Sequence, residues 1–541
     1  MFTKLFLTLI FLVSTNIYAE ITLEEINEKP QSRAKNFMIW QYFNQDITPE
    51  QADKAFVQLD GVSNKLFFAY AKKTNDKEIK KIVSCMKERK ILNIKDKGCL
   101  KLAMSPYKTL ALTNKQREDL AKRVDSKYIK ELLEIQSAPF SQELYATYDP
   151  SVVLTMFVST TASHRRNNLN KFLHKKLLDH LSSSWKISQL IKIVLNDDKL
   201  DNLQKSMLKL DGENLNSLDN FYLALNHIKH SSKNGALKHL NLSLSKAKKM
   251  IDVDKNYFWM YKITKDQKYL GKLLLSDDIN VYSLFAHETL NKNIENYFSA
   301  VETDDNLNHK SLEDPFNWND ILKEIRSTPK DNLFDLASSY KQENMIPVQS
   351  YILQKAYGFK MHGYIMPYNK YLGDISNDEK ALVYAIMRQE SNLIPSALSR
   401  SYALGLMQLM PFVVDDLSKR EKQPINEYSE MFIPENNINY ALKHIEWMKK
   451  SLYHPLFMAY AYNGGMGFFR RHLEKGTFNH GEYEPFLSME MMSNVESREY
   501  GKRVLANYVM YKKVMGEKIS IVHLFDTLTQ PKKTDRFREQ G

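Results

Sequence analysis

The segment "VYAIMRQES", Val383 to Ser391, holds the first residue whose place in the sequence invites chemistry. It reads as helix. Val383, Ile386, Met387 and Glu390 stand at i, i+3, i+4 and i+7 and so share one face. Three of them are apolar, which sends the fourth, a carboxylate, toward the interior. Burial disfavours the charged form of a carboxyl group and raises its pKa. An acid that keeps its proton near neutral pH can donate it to a leaving oxygen. On periodicity alone a second reading stays open, in which Glu390 sits at a fraying helix end and turns into solvent.

Three further stretches follow. "GLMQLMP" runs from Gly405 to Pro411, "AYAYNGG" from Ala459 to Gly465, and "NVESREY" from Asn494 to Tyr500. Each has an ordinary explanation. The first reads as a loop with a buried Leu–Met pair, the second as a helix C-terminus. In the third, Glu496 lies three residues after Ser493, the spacing of a capping box. Asp415 and Asp416 follow Pro411 and read as solvated charges at a helix start.

In this order the stretches resemble the soluble lytic murein transglycosylases. The pattern of that family is Glu-Ser at a helix end, then Gly-Leu-Met-Gln, Ala-Tyr-Asn and a late Glu…Tyr helix. Here it is carried by Glu390-Ser391, Gly405-Leu406-Met407-Gln408, Ala461-Tyr462-Asn463, and Glu496 with Tyr500. The resemblance is strong over about 370–515. It implies a lysozyme-like catalytic domain preceded by a ring-like superhelix of paired helices. Its implied roles are Glu390 as the catalytic acid, with Ser391, Met407, Gln408, Tyr462, Asn463, Glu496 and Tyr500 around the substrate. Met407 and Gln408 are expected to line the groove, Tyr462 to reach the glutamate or the sugar, Asn463 to hold the neighbouring loop or substrate, and Ser391 to orient local hydrogen bonds. Three positions depart from the usual pattern: Tyr402 three residues before Gly405, "AYNGGMG" after the Ala-Tyr, and Gly501 after Tyr500.

The chemistry the resemblance implies is cleavage of the MurNAc–GlcNAc β-1,4 bond of peptidoglycan without water. One glutamate acts first as acid and then as base, and the product is a 1,6-anhydro sugar. No cofactor or metal motif is visible, so none is expected. The alternatives are a hydrolytic muramidase on the same fold and a non-catalytic peptidoglycan-binding helical-repeat protein. The second would predict a lost glutamate or a broken Ala-Tyr-Asn.

The elements that must position these residues are helical. Between Ser151 and Asp314 there is no proline, and the glycines are Gly212, Gly235 and Gly271. Turns between strands use those residues, so a long stretch with so few reads as helices joined by short polar links. Apolar residues at steps of three and four in "NGALKHLNLSLSKAKKMI" agree. The pieces are short and show no clean period, which predicts a degenerate array of helix pairs. Nine of the seventeen glycines lie from Gly405 onward. "SNDE", Ser376 to Glu379, spells a capping box that starts the helix bearing Glu390. The expected fold class is therefore all-α, and the resemblance makes it a helical-repeat superhelix followed by a lysozyme-like domain. The expected division is a signal peptide over 1–19, the helical domain with its linker over 20–365, the catalytic domain over 366–520 and a tail over 521–541. The stretch "TQPKKTDRFREQG" reads as polar and frayed.

The leader "MFTKLFLTLIFLVSTNIYA" has Lys4, an apolar run from Leu5 to Val13 and a small residue at Ala19. This is the pattern of a secretory signal cleaved after Ala19. The run falls short of the roughly 20 residues that span a bilayer. A periplasmic protein is expected, monomeric and without a transmembrane segment, with peripheral outer-membrane association left open. Cys85 and Cys99 are the only cysteines. In an oxidising compartment they are a disulfide candidate, the alternative being two buried thiols. The net charge of +12 lies mostly N-terminal: residues 1–364 hold 53 Lys and Arg against 43 Asp and Glu, and residues 365–541 hold 23 against 21. Export argues against nucleic acid as partner. A mildly basic surface suits an acidic polymer such as peptidoglycan glycan strands, or an anionic envelope surface.

Overall fold

The computed structural model describes residues 20–304, 311–422 and 424–539. The leader with its cleavage site after Ala19 lies outside the described residues. The fold is all-α. Helices follow one another from Leu23–Glu28 to Pro531–Thr534, and the paired strands among the described residues are Tyr297–Phe298 and His362–Gly363, which run parallel. No helix among the described residues is long and apolar enough to cross a membrane.

Short helices pack on their sequence neighbours through the first half. Ser217–Lys229 lies on Lys233–Ser245, which lies in turn on Met250–Thr264. Links between them are polar and brief, as the scarcity of proline and glycine predicts. The array begins with its own small core around Ile26, Phe43, Ala52 and Tyr70. A second small core gathers Ile91, Leu100, Leu120 and Leu133. Beside it the structure bonds Cys85 to Cys99, with their Cα atoms 5.0 Å apart. This ties the helix Lys77–Lys87 to Lys97–Ala103.

The main core does not stop at the expected boundary. It runs without a break from Val153, Leu190 and Trp259 in the array to Ile386, Tyr460 and Val504 in the second half. The long helix Val495–Val514 forms the spine of that half. Asn377–Ser391 and Pro455–Gly464 pack against it. At Gly501 an added Cβ would stand 2.2 Å from the Tyr460 ring. Glycine there lets Pro455–Gly464 approach the spine closely. Tyr402 has a structural reason too. Its ring packs on Phe37 and Trp40 of the helix Arg33–Tyr42, at 5.1 and 5.5 Å between centroids. It docks the first helices of the chain onto the second half.

The expectation of a frayed tail is corrected. Residues 521–539 form the helices Ile521–Thr527 and Pro531–Thr534 and then fold back on the body. Thr534 and Asp535 are fully buried, and Arg538 pairs with Asp535 at 2.8 Å. Arg538 also donates to the carbonyl of Phe478 at 2.8 Å. Lysines and arginines made the segment look like a solvated tail, but here one arginine caps buried carbonyls rather than facing water.

Candidate active site

The helix Asn377–Ser391 starts as its sequence predicts. Ser376 Oγ accepts from Glu379 N, and the Glu379 carboxylate accepts from Ser376 N. Residues Ala381 to Met387 are all buried, so the helix enters the core along its length. Arg388 fixes its far end. The guanidinium donates to the Gly363 carbonyl at 2.9 Å, to Asn507 Oδ1 at 2.9 Å and to Gln354 Oε1 at 3.2 Å, and it lies over the Tyr364 ring. Glu390 follows two residues later. The next residues, Asn392 and Leu393, both take left-handed backbone, with φ of 51° and 67°. This ends the helix sharply behind the carboxylate.

Burial raises the Glu390 carboxyl pKa to about 7. Two other groups act on it. The Tyr500 hydroxyl lowers the value and the like charge of Glu496 raises it. Among the described residues no cation offsets the burial. Tyr500 is 6 % exposed, and its hydroxyl has no hydrogen-bond partner at full bonding geometry. It acts on the Glu390 carboxyl as a donor, which is how it lowers that group's pKa. Tyr462 is the third member. Its hydroxyl donates to the Met407 carbonyl at 2.7 Å, and burial and the nearby Glu390 charge push its pKa up. Both phenols therefore stay neutral at any physiological pH.

Glu496 is exposed in the first turn of Val495–Val514. The capping-box reading of this residue fails, because the N-cap is Asn494, which accepts from Glu496 N and Ser497 N. The Glu496 side chain is thus not consumed by capping. It stands four residues from Tyr500 on the same helix face.

The Gly405–Gln408 turn is built by close contact. Gly405 has φ of +73°, and a Cβ there would meet the Met431 carbonyl at 2.2 Å and the Asn437 amide at 2.3 Å. Asn437 is fully buried. It donates to the carbonyls of Leu404 and Met431 at 3.0 and 2.8 Å and accepts from Met407 N at 2.8 Å. Gln408 holds φ of 48°, and its amide donates to the carbonyls of Ala397 and Gly405 at 3.0 and 2.8 Å. Left-handed backbone at Leu393, Tyr402 and Gln408 costs about 1 kcal/mol at each residue. With Asn392 they make four such non-glycine residues from Glu390 to the end of the turn, where the surrounding bonds hold them.

The other expected site residues divide. Met407 is fully buried, so it does not line a groove as expected: Leu406 and Met407 both fill the core, and Met407 reaches the site through its carbonyl. Ser391 is buried and donates back to the Met387 carbonyl at 3.0 Å, closing the last helical turn. Asn463 accepts from Ser497 Oγ at 2.8 Å, which ties the Ala-Tyr-Asn end to the spine helix. Asp415 accepts from the Tyr428 hydroxyl at 2.9 Å, and Asp416 pairs with Arg420 at 3.0 Å. The three residues that sequence reasoning missed are Arg388, Asn437 and Asn507. A signal was present: each is a polar residue in an apolar row at helical spacing, as Asn437 is with Tyr440, Ala441 and Met448. Among the described residues no cluster of acids, histidines or cysteines could hold a metal.

Residues 367–483 match a family model described as the Transglycosylase SLT domain. The soluble lytic murein transglycosylase of Escherichia coli (strain K12) is 31% identical over 140 residues, which is 26% of this chain and 21% of that protein. A membrane-bound lytic murein transglycosylase C of Pectobacterium atrosepticum is 37% identical over 101 residues, 16% of this chain and 28% of that protein. The matches thus span about a fifth to a quarter of these relatives. The crystal structure of the 70 kDa soluble lytic transglycosylase of Escherichia coli superposes with a TM-score of 0.48 at 15% identity, covering 95% of this chain and 90% of that one.

Proposed function

We propose that this chain is an exported peptidoglycan lytic transglycosylase with a lysozyme-like catalytic unit, and that Glu390 is its acid and base. One observation carries the reading. A carboxyl group with its pKa raised to about 7 ends a buried helix, faces two neutral phenols and among the described residues has no cation to hold it ionised. The match of residues 367–483 to the transglycosylase domain model supports the substrate class.

In this reading the Glu390 proton passes to the glycosidic oxygen as the bond from C1 of MurNAc to that oxygen breaks. The leaving GlcNAc keeps the oxygen as its 4-hydroxyl. The carbonyl oxygen of the substrate's own N-acetyl group bonds to C1 and carries the developing positive charge. The C6 hydroxyl oxygen then attacks C1, the bond to the acetamido oxygen breaks, and the hydroxyl proton goes to the Glu390 carboxylate. The ring closes as a 1,6-anhydro sugar and Glu390 ends protonated again. Tyr500 donates to the carboxylate form between the two steps, where its bond to Glu390 is strongest. Tyr462 fixes the Met407 carbonyl and with it the wall opposite. Gln408, Asn463 and Ser391 hold the loops that frame the sugar.

A hydrolytic outcome is favoured by one feature, the free carboxylate of Glu496 near Glu390, which is suited to activate water. Product mass separates the two readings, because an anhydro end is one water lighter than a reducing end. The test is digestion of purified sacculi by wild type and Glu390→Gln. Anhydro ends and a loss of about 10³-fold or more in the variant are expected. Release at the wild-type rate by the variant would remove Glu390 from the mechanism. Export rests on the leader over 1–19 and on the Cys85–Cys99 bond, which suits an oxidising compartment.

A further inference from the structure

A cleft of about 860 Å³ lies where the helix Arg33–Tyr42, the helix Pro315–Ser327 and the loop 396–402 meet. It is separate from the Glu390 site but shares a wall with it. The loop that lines the cleft through Ser396, Leu398 and Arg400 also offers the Ala397 carbonyl to Gln408 at 3.0 Å. Four cations line the cleft, Arg33, Lys323, Arg326 and Arg400, against one acid, Asp60. Two of the four are engaged: Lys323 pairs with Asp320 at 3.0 Å, and Arg33 donates to the Leu398 carbonyl at 2.9 Å. The guanidinium groups of Arg326 and Arg400 make no ion pair or hydrogen bond with the described residues.

A second observation points to a ligand. Ser396 is 1% exposed and lines the cleft, and its hydroxyl has no hydrogen-bond partner. A buried hydroxyl left unmade costs about 1–3 kcal/mol, so such groups normally find a partner. Trp318 and Tyr402 add aromatic surface beside it. Guanidinium forks take carboxylates in a bidentate fashion, and a hydroxyl with aromatic walls suits the amides and short side chains of a peptide. A bare phosphate would leave the aromatic surface unused.

We propose that this cleft binds a short peptide carrying at least two carboxylates, and that in peptidoglycan this is the peptide stem of the strand being cut. Arg326 and Arg400 hold the carboxylates and Ser396 takes an amide or carboxylate oxygen. Identifying the peptide as a stem rests on the function proposed above; the peptide chemistry does not. An occupied cleft presses on the loop that anchors Gln408, which couples stem recognition to the groove.

The test is titration calorimetry on the full chain with three probes: a free stem tetrapeptide, the same peptide with its carboxylates amidated, and a peptide-free GlcNAc–MurNAc disaccharide. The free acid is expected to bind wild type and to weaken at least tenfold in Arg326→Gln/Arg400→Gln. Both arginines are exposed, so the variant should melt as wild type does. Raised salt should weaken binding of the peptide. Ser396→Thr, which keeps a hydroxyl, should bind better than Ser396→Ala. Equal affinity of wild type and the double variant, or of free and amidated peptide, would overturn the proposal. So would no binding of the free peptide. Binding to Glu390→Gln must equal that to wild type, so a failure of the catalytic assignment leaves this measurement intact. Activity on sacculi with no peptide binding would remove the cleft alone.

Discussion

Two groups of acids meet different faces of one helix, Val495–Val514, and they have opposite chemistry. On one face Tyr500 and Glu496 look toward Glu390, which has no cation. On the other, Arg498, Glu499 and Lys502 form a closed ionic knot with Glu490. Lys502 meets Glu490 at 3.0 Å and Glu499 at 3.2 Å, and Arg498 meets Glu499 at 2.8 Å. Tyr222 and Tyr282 reach into the knot from the helical array: Arg498 donates to the Tyr222 hydroxyl, and the Tyr282 hydroxyl donates to Glu490. Burial acts on Glu499 as it does on Glu390, pushing the carboxyl up. At Glu499 the charges of Lys502, Arg498 and Lys255 outweigh it and hold the carboxyl below its ordinary range. Burial alone therefore assigns no role. An acid buried with cations fastens the array to the spine helix, and an acid buried with phenols is left free to exchange a proton.

The knot gives the larger stability effect. Lys502 is the one cation that reaches the Glu490 carboxylate among the described residues, and Glu490 is 1% exposed. Lys502→Met should cost about 3–5 kcal/mol, because it leaves a buried charge unpaired. Adding Glu490→Gln should recover most of that loss, and a double-mutant cycle in urea measures the coupling. The comparison fails if Lys502→Met alone unfolds with the wild-type midpoint. Because the knot joins array and spine, the single variant should also lose activity in proportion to the fraction unfolded.

Glu390 should behave in the opposite way when its charge is removed. Its folded-state pKa of about 7 lies above the ordinary 4.5, so the folded chain binds the proton more tightly than the unfolded one. Wild type therefore loses stability as pH rises from about 4.5 through 7, and Glu390→Gln does not. Below that window the two should melt alike. Above it the inactive variant should be the more stable by ~1–3 kcal/mol, with partial solvent access setting the lower figure. Melting curves at pH 4 and pH 8 read this directly. A variant less stable than wild type at pH 8 would mean that the carboxylate is welcomed by its surroundings.

The legibility of the two faces differs for the same reason. Glu390 was readable because it broke an apolar row and local motifs gave it company. The capping box at Ser376 and the apolar stripe through Met387 are local facts, and helices declare local facts. The knot was not readable, since its partners lie more than two hundred residues away in sequence, as Tyr222 and Tyr282 do from Arg498 and Lys502. Spacing within "ESREYGK" does not say which charges meet water. A motif residue such as Met407 can serve through its backbone while its side chain fills the core, which spacing does not reveal. The docked tail is hidden from composition, which does not distinguish a solvated arginine from one that, like Arg538, caps buried carbonyls.

The finest contrast lies within the catalytic face itself. Tyr500 and Glu496 sit one turn apart and pull the Glu390 carboxyl in opposite directions, the hydroxyl lowering its pKa and the like charge raising it. A general acid must start protonated, so kcat/KM should fall as pH rises through about 7. Tyr500→Phe removes a donor to the carboxylate, which favours the protonated form, so that alkaline limb should move to higher pH. Glu496→Gln removes a repelling charge, so the limb should move to lower pH. Each variant should keep its maximal rate within about a factor of ten, the scale of one hydrogen bond. The measurement is a pH profile of anhydro-end release from a soluble glycan. Limbs that move the same way in both variants would show that the two side chains act on folding or binding and not on the proton at Glu390.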